Sequence, residues 1–151
     1  MNILLARAYE YPHVGSLSTH MTLLAKGLNA QGHEVGIRCF KDFSGVQQAV
    51  TRGPAWMMNR VRNGWGTLWT TVLRIRFLAR LLKAEAGWLG VLNVEDPSTT
   101  VAAQRVGLPY GHGCATDEHI AAGRIRPHTW AHQWHLDLER RALSGAVHVV
   151  A

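Results

Sequence analysis

Hydrophobic and polar positions follow two patterns in this chain, short continuous apolar runs and longer stretches with helical spacing. Residues 2–6 (NILLA) form the first apolar run, which has the length of a buried strand. An amphipathic helix is expected next, beginning near Ser18 or Thr19 and ending at Gly32. Its apolar positions are Met21, Leu24, Ala25 and Leu28. Residues 34–39 predict a second strand, so the chain opens with a right-handed parallel strand–helix–strand unit.

The same alternation returns in the last third of the chain. Strands are expected over residues 88–94, 108–114 and 146–151, and helices over residues 97–106 and 129–143. Residues 42–87, between the opening unit and this last third, are predicted to be mostly helical, with breaks at Gly53-Pro54 and near Gly64 and Gly66. This order predicts one α/β domain over residues 1–151, a Rossmann-like, mainly parallel sheet with helices on both faces.

Composition agrees with a folded domain. The chain has 151 residues, of which 47% are hydrophobic, enough for a core. Neither a secretory leader at Met1 nor an uncharged apolar run of about eighteen residues is found, so a cytoplasmic protein without a membrane-spanning helix is expected. Cys39 and Cys114 lack metal or redox spacing and are expected to be two buried thiols.

Three loops follow strands and are candidates for binding, because ligands of open parallel sheets bind at the carboxyl ends of the strands. The loop at residues 7–19 contains Gly15 but no G-x-G-x-x-G motif, so a dehydrogenase-type dinucleotide site is not supported. It leads to a helix N-terminus, where backbone N–H groups can bind a phosphate or a sugar hydroxyl. An ordinary surface turn explains the glycine equally well.

The other two loops carry titratable side chains. Glu95 and Asp96 stand where a strand becomes a helix, a position at which acids cap free N–H groups or, alternatively, bond to sugar hydroxyls. His112 lies between two glycines at the end of a strand, where a substrate can approach the backbone closely. Its imidazole can exchange a proton or orient a hydroxyl near neutral pH.

A row of histidines near the end of the chain raises the question of a metal. His128, His132, His135 and Glu139 are spaced to share one helical face. Ligands spread over more than two turns, each advancing about 5.4 Å, cannot all reach one ion. No metal site is therefore expected, and these side chains are interpreted as a solvated or partner-facing surface.

The formal net charge of +6 points to an anionic partner. Most of the excess lies in residues 52–83, where basic residues alternate with tryptophan and other apolar residues. The predicted core stripe of this segment is Leu68, Val72, Ile75, Leu78, Ala79 and Leu82. Tryptophan beside arginine suits the headgroup zone of an anionic membrane, and packing between sheet and solvent is the alternative. Nucleic-acid binding is not expected, because no reading motif accompanies the charge.

Taken together, these motifs resemble the N-terminal domain of glycosyltransferase family 4, the GT-B group of retaining, nucleotide-sugar-dependent transferases. The resemblance covers nearly the whole chain and is strongest in YPHVGSLSTHMTLLAKGLNAQGHEV and LERRALSGAVHVVA. The residues that match the family's opening pattern are Gly15, His20, Gly32, His33, Glu34 and Val35. Ser16 replaces the second glycine of the family loop, and VEDPST and LPYGHG match the two later loops.

The resemblance implies a function and a limit to it. It implies that His112 orients groups near the anomeric centre, that Gly15 and Ser16 lie near the donor phosphates, and that His20, Glu95 and Asp96 contribute to binding. The partners would be a nucleotide sugar, a sugar acceptor and a C-terminal donor-binding domain or subunit, which this sequence lacks; no cofactor is expected. Turnover by the chain alone is not expected. The alternative is a non-catalytic membrane-surface or partner-binding module using residues 52–83.

Overall fold

The computed structural model describes residues 1–12, 16–113, 125–145 and 148–150. Its strands are β1 (Asn2–Ala6), β2 (Glu34–Arg38), β3 (Val91–Val94), β4 (Tyr110–Gly113) and β5 (His148–Val150). Its helices are α1 (Ser16–Ala30), α2 (Gly45–Val61), α3 (Trp65–Glu85), α4 (Pro97–Arg105) and α5 (Trp130–Ser144). A short 3-10 turn at Phe40–Asp42 follows β2. The predicted elements are therefore present, with boundaries that differ by a few residues.

The five strands form one parallel sheet in the order β2-β1-β3-β4-β5. The chain moves from β1 to β2 on one side and then returns to place β3 on the other side of β1. Ala6 pairs with Arg38 and with Val94, and Val94 pairs with His112, so the carboxyl ends of four strands are level. The fold is the predicted Rossmann-like α/β fold, and its strand order reverses between β1 and β3. Ligands of such sheets bind at this switch point.

Apolar side chains cover both faces of the sheet. On one face, Ile3 and Leu5 of β1 pack against Met21 and Ala25 of α1. The other face carries the larger core, contributed by β1, β3, α3, α4 and α5. Its members include Leu4, Ala6, Ile75, Leu78, Leu82, Leu92, Val94, Ala102, Ala103 and Leu138. Burying a large aliphatic side chain stabilises a fold by about 1.5–3 kcal/mol, so these two clusters hold the strand ends in register.

The predicted break at Gly53-Pro54 is wrong, because α2 runs through both residues. Proline has no N–H, so it leaves the carbonyl four residues earlier without its helical donor. That carbonyl belongs to Val50, and it accepts a hydrogen bond from the Trp69 indole of α3 at 3.0 Å. A tertiary contact thus replaces the missing helical bond. The chain instead reverses at Gly64, whose φ of 86° lies in the left-handed region that favours glycine.

The predicted core stripe of α3 is correct only in its second half. Ile75, Leu78 and Leu82 are buried, whereas Val72 is 39% exposed. Thr67 and Thr71 occupy the buried face near the start of the helix. Burial of Thr71 is tolerated because its hydroxyl donates to the Thr67 carbonyl at 2.9 Å. The buried face of α3 is therefore partly polar, which hydrophobic spacing does not reveal.

Cys39 is buried, as predicted, and burial raises the pKa of its thiol. Cys114 lies outside the described residues. No helix in the described part of the chain is both long and apolar enough to cross a membrane.

Candidate functional site

The candidate site lies at the switch point, where the loop after β1 meets the loop after β3. The backbone continues the strand pairing beyond β3, since the Glu95 N–H donates to the Ala6 carbonyl at 3.2 Å. The Ala8 N–H in turn donates to Asp96 Oδ2 at 2.6 Å. These two bonds join the loops, so the side chains of Arg7, Glu95 and Asp96 are held at one edge of the sheet.

Asp96 is the N-cap of α4. Its Oδ1 accepts from the Thr99 N–H at 2.9 Å, and its Oδ2 accepts from the Thr99 hydroxyl at 2.7 Å as well as from Ala8. Pro97 follows at the first helical turn, where its fixed φ suits helix initiation. Both carboxylate oxygens are thus used inside the fold, and capping is the role that the geometry gives to Asp96.

Glu95 has a different environment. It is only 3% exposed, and its Oε1 accepts one hydrogen bond from Asn93 Nδ2 at 2.6 Å. Burial raises the pKa of Glu95, while His20, the Asn93 amide and Arg7 oppose that rise and Asp96 adds to it. A carboxyl whose pKa is shifted towards neutrality can hold a proton or release one to a bound hydroxyl. Glu95 is therefore the best-placed acid–base group of the described site.

His20 comes to the site from α1. It is exposed on the helix that follows the first loop, and it interacts electrostatically with Glu95. Two residues predicted from the sequence, 75 positions apart, are thereby brought to the same edge of the sheet. The exposed face beside His20, with Thr19 and Leu23, borders open solvent. A ligand can reach the imidazole from this side.

The remaining predicted residues are placed only in part. Gly15 lies outside the described residues, and Ser16 is the first residue of α1, although its side chain is not described. His112 is the third residue of β4, paired with Val94 on one side and Val149 on the other. Adjacent strands are about 4.8 Å apart, so the His112 backbone is one strand away from the residue that precedes Glu95. The His112 side chain lies outside the described part of the structure.

Arginine side chains lie beside the crevice, the space at the switch point between the loops after β1 and β3. The sequence did not identify them as part of the site. Arg7 is 2% exposed, and its guanidinium lies 5.8 Å from the centre of the Tyr9 ring. Arg74 of α3 lies 4.7 Å from the same ring and 5.2 Å from the Phe40 ring. Arg52 stacks on Phe40 at 4.7 Å and pairs with Glu10. The signal available in the sequence was an arginine directly after a buried strand. The arginine stack, formed by Arg7, Arg52 and Arg74 with the rings of Tyr9 and Phe40, is assembled from distant segments.

The histidine row is not a single helical face. His128 precedes α5 with a positive φ of 61°, and its ring lies 6.4 Å from that of His132. His135 is fully buried, with its ring 5.1 Å from that of Trp134, so the predicted solvated or partner-facing surface is wrong for this residue. Within the described residues, no three His, Cys, Asp or Glu side chains are grouped as metal ligands.

Comparison with protein-family models and with curated proteins finds no match to this chain.

Proposed function

We propose that this chain is the N-terminal, acceptor-binding half of a retaining, nucleotide-sugar-dependent glycosyltransferase of GT-B architecture. It would work in the cytoplasm with a donor-binding domain or subunit. The observation that carries the proposal is the position of Glu95, a buried carboxyl with a raised pKa, beside His20 at the switch point of a parallel sheet. Sugars offer hydroxyl groups, and carboxyl and imidazole groups are suited to orient them and to exchange their protons.

Each predicted residue has a defined role in this proposal. His112 orients groups near the anomeric centre, and Glu95 and His20 bind hydroxyls of the acceptor. The start of α1, with Gly15 and Ser16, supplies backbone N–H groups towards the donor phosphates. Asp96 acts indirectly, because its bonds to Ala8 and Thr99 fix the loop that carries Glu95.

The positive charge of the arginine stack supports the same interpretation. Nucleotide sugars carry two phosphates, and a cluster of guanidinium groups near the crevice raises the local concentration of such anions. Arg7 also contributes directly to the electrostatics of Glu95. A change in the charge of the ligand would therefore alter the pKa of Glu95, the candidate acid–base group.

The experiment is a transfer assay on the chain joined to, or mixed with, its donor-binding domain. A panel of labelled nucleotide sugars is offered, and the transferred sugar is measured for wild type, His112→Ala and Glu95→Gln. Both variants should lose transfer by about 100-fold or more, since acid–base groups typically contribute about 10²- to 10⁴-fold. His33→Ala is the matched control, since His33 precedes β2 at the opposite edge of the sheet. Unchanged transfer in folded His112→Ala and Glu95→Gln would refute the proposed site.

A second candidate function is a non-catalytic membrane-surface module that uses residues 52–83. It is favoured by the exposure of Trp56 and Met57, which are 62% and 65% exposed. This function makes no use of Glu95 or His112. The absence of transfer with any donor domain, together with membrane binding by the chain alone, would favour it over the transferase.

A further inference from the structure

The helices α2 and α3 form a hairpin whose outer side is unusually apolar. Trp56 and Met57 are exposed on α2, and Val61 at its end is 81% exposed. Val46 and Val50 extend the same stripe towards the start of the helix, at 74% and 41% exposure. Large apolar side chains scattered singly on a surface are ordinary, but a continuous stripe along one helix marks an interaction surface.

Arginine side chains accompany these apolar residues at the turn of the hairpin. The Arg60 guanidinium lies 4.1 Å from the Trp56 ring centre, and that of Arg62 lies 5.5 Å from the Trp65 ring centre. Each pair joins a flat apolar surface to a positive charge. Such pairs suit the boundary of a bilayer, where rings enter the headgroup layer and guanidinium groups meet phosphates.

The start of α5 completes the surface. The Arg126 N–H donates to Asn63 Oδ1 at 3.1 Å, which fixes this segment against the hairpin turn. Packing at Gly64 is close, since an added Cβ would lie 2.5 Å from the Ala131 Cβ. A cavity of about 240 Å³ results, lined among others by Arg62, Trp65, Arg126 and Trp130. Two arginines and two tryptophans thus border this cavity.

Charge complementarity identifies the occupant. Residues 43–84 contain no aspartate or glutamate. Besides Arg52 and Arg74, which stack beside the crevice, they contain five basic residues: Arg60, Arg62, Arg76, Arg80 and Lys83. A protein partner of mixed charge would match this excess poorly, whereas an anionic bilayer offers a continuous field of phosphates. Each basic residue near such a surface favours binding.

We infer that the hairpin surface, defined here by Trp56, Met57, Arg60, Arg62, Arg126 and Trp130, docks on an anionic lipid bilayer. Arg62 and Arg126 hold a lipid phosphate in the cavity, while Trp56 and Met57 enter the boundary between headgroups and acyl chains. The inference is independent of the proposed transferase activity, because it uses none of the crevice residues and can be tested on this chain alone.

The test is flotation of the purified chain with vesicles of phosphatidylcholine alone or with 30% phosphatidylglycerol, a probe composition of about one anionic lipid in three. Binding is expected only to the anionic vesicles, and it should weaken as salt is raised. Brominated lipids should quench tryptophan fluorescence, and the Trp56→Phe change should remove more of this quenching than Trp88→Phe. Glycerol phosphate serves as the soluble headgroup.

Matched variants decide between a bilayer, a free phosphate and a protein partner. Arg62→Gln with Arg126→Gln should weaken binding about 25-fold, from about fivefold for each arginine removed. The charge-matched control, Lys26→Gln with Arg105→Gln, should change binding much less, and Trp56→Ser with Met57→Ser should weaken it at constant charge. Equal losses in the test and control pairs, or no vesicle binding at low salt, would overturn the inference. Binding of glycerol phosphate but not of anionic vesicles, or use of these residues for a protein partner instead, would also overturn it.

Discussion

Replacing Asp96 with alanine should destabilise the whole domain, because this side chain connects three segments. The change removes the N-cap of α4, which is worth about 1 kcal/mol. It also leaves the Ala8 N–H without its acceptor, in a residue that is fully buried. An unsatisfied buried donor costs about 2 kcal/mol. The expected loss in the free energy of unfolding is therefore about 3 kcal/mol, a large fraction of the 5–15 kcal/mol typical of a domain.

Urea unfolding followed by circular dichroism measures this loss. With a slope of about 2 kcal/mol per molar urea, the midpoint should fall by about 1.5 M while the slope stays constant. Asp137→Ala is the matched control, since Asp137 is partly exposed on a helix and its contact with Arg140 is a surface ion pair. Such pairs contribute about 0–1 kcal/mol, so this midpoint should move little.

The reasoning would be refuted by an Asp96→Ala midpoint within about 0.3 M of the Asp137→Ala value. Asp96→Asn provides a further check, because the amide keeps one acceptor oxygen and loses the other. Its cost should lie between those of wild type and the alanine variant. A full alanine-like cost for asparagine would contradict this expectation, because one acceptor oxygen remains for the Thr99 or the Ala8 N–H.

Two further predictions test the site and the helical hairpin. The pKa of Glu95 is raised above its ordinary value of 4.5, so the folded state binds more protons than the unfolded state between these two values. The contribution of Glu95 to stability is complete below pH 4.5 and is lost as pH rises through the raised pKa. Glu95→Gln should therefore raise the melting temperature at pH 8 but not at pH 4. Equal shifts of the melting temperature at the two pH values would contradict this. Gly66→Ala should destabilise strongly, because the new Cβ would lie 1.9 Å from the Ala55 carbonyl oxygen. Gly53→Ala, in open space on α2, should instead raise the free energy of unfolding in urea by about 0.5–1 kcal/mol. A stabilising Gly66→Ala change would show that α2 and α3 do not pack closely at this glycine.

The sheet could be predicted from the sequence because its signals are local. Residues 2–6 are continuously apolar, and Pro97 follows an acid at a helix start, so each element is recognisable within about ten residues. The continuity of α2 through Pro54 could not be predicted in this way. It depends on Trp69, nineteen residues from the Val50 carbonyl that it satisfies, and no pattern within α2 encodes that contact.

The same limit applies to the candidate site. Glu95 could be selected because it follows a predicted strand, whereas His20 was selected only through the resemblance of the opening motif. Their proximity follows from the strand order, which places β3 directly beside β1. The stack of Arg7, Tyr9 and Arg74 was missed because the sequence does not distinguish Arg74 from the other basic residues of its amphipathic helix. Only the docking of α3 against the loop after β1 brings it to the crevice.

The two adjacent acids of the crevice differ in the capacity that they have left for a ligand. The Asp96 carboxylate accepts three hydrogen bonds from described residues, whereas the Glu95 carboxylate accepts one. A ligand that bonded to Asp96 would have to displace a cap or the Ala8 N–H, at a cost comparable to the bond gained. Glu95 can accept or donate without such a loss. Loss of ligand binding should therefore accompany a large loss of stability in Asp96 variants, whereas in Glu95 variants it should occur in a stably folded protein. Stability and binding measured together separate the two roles.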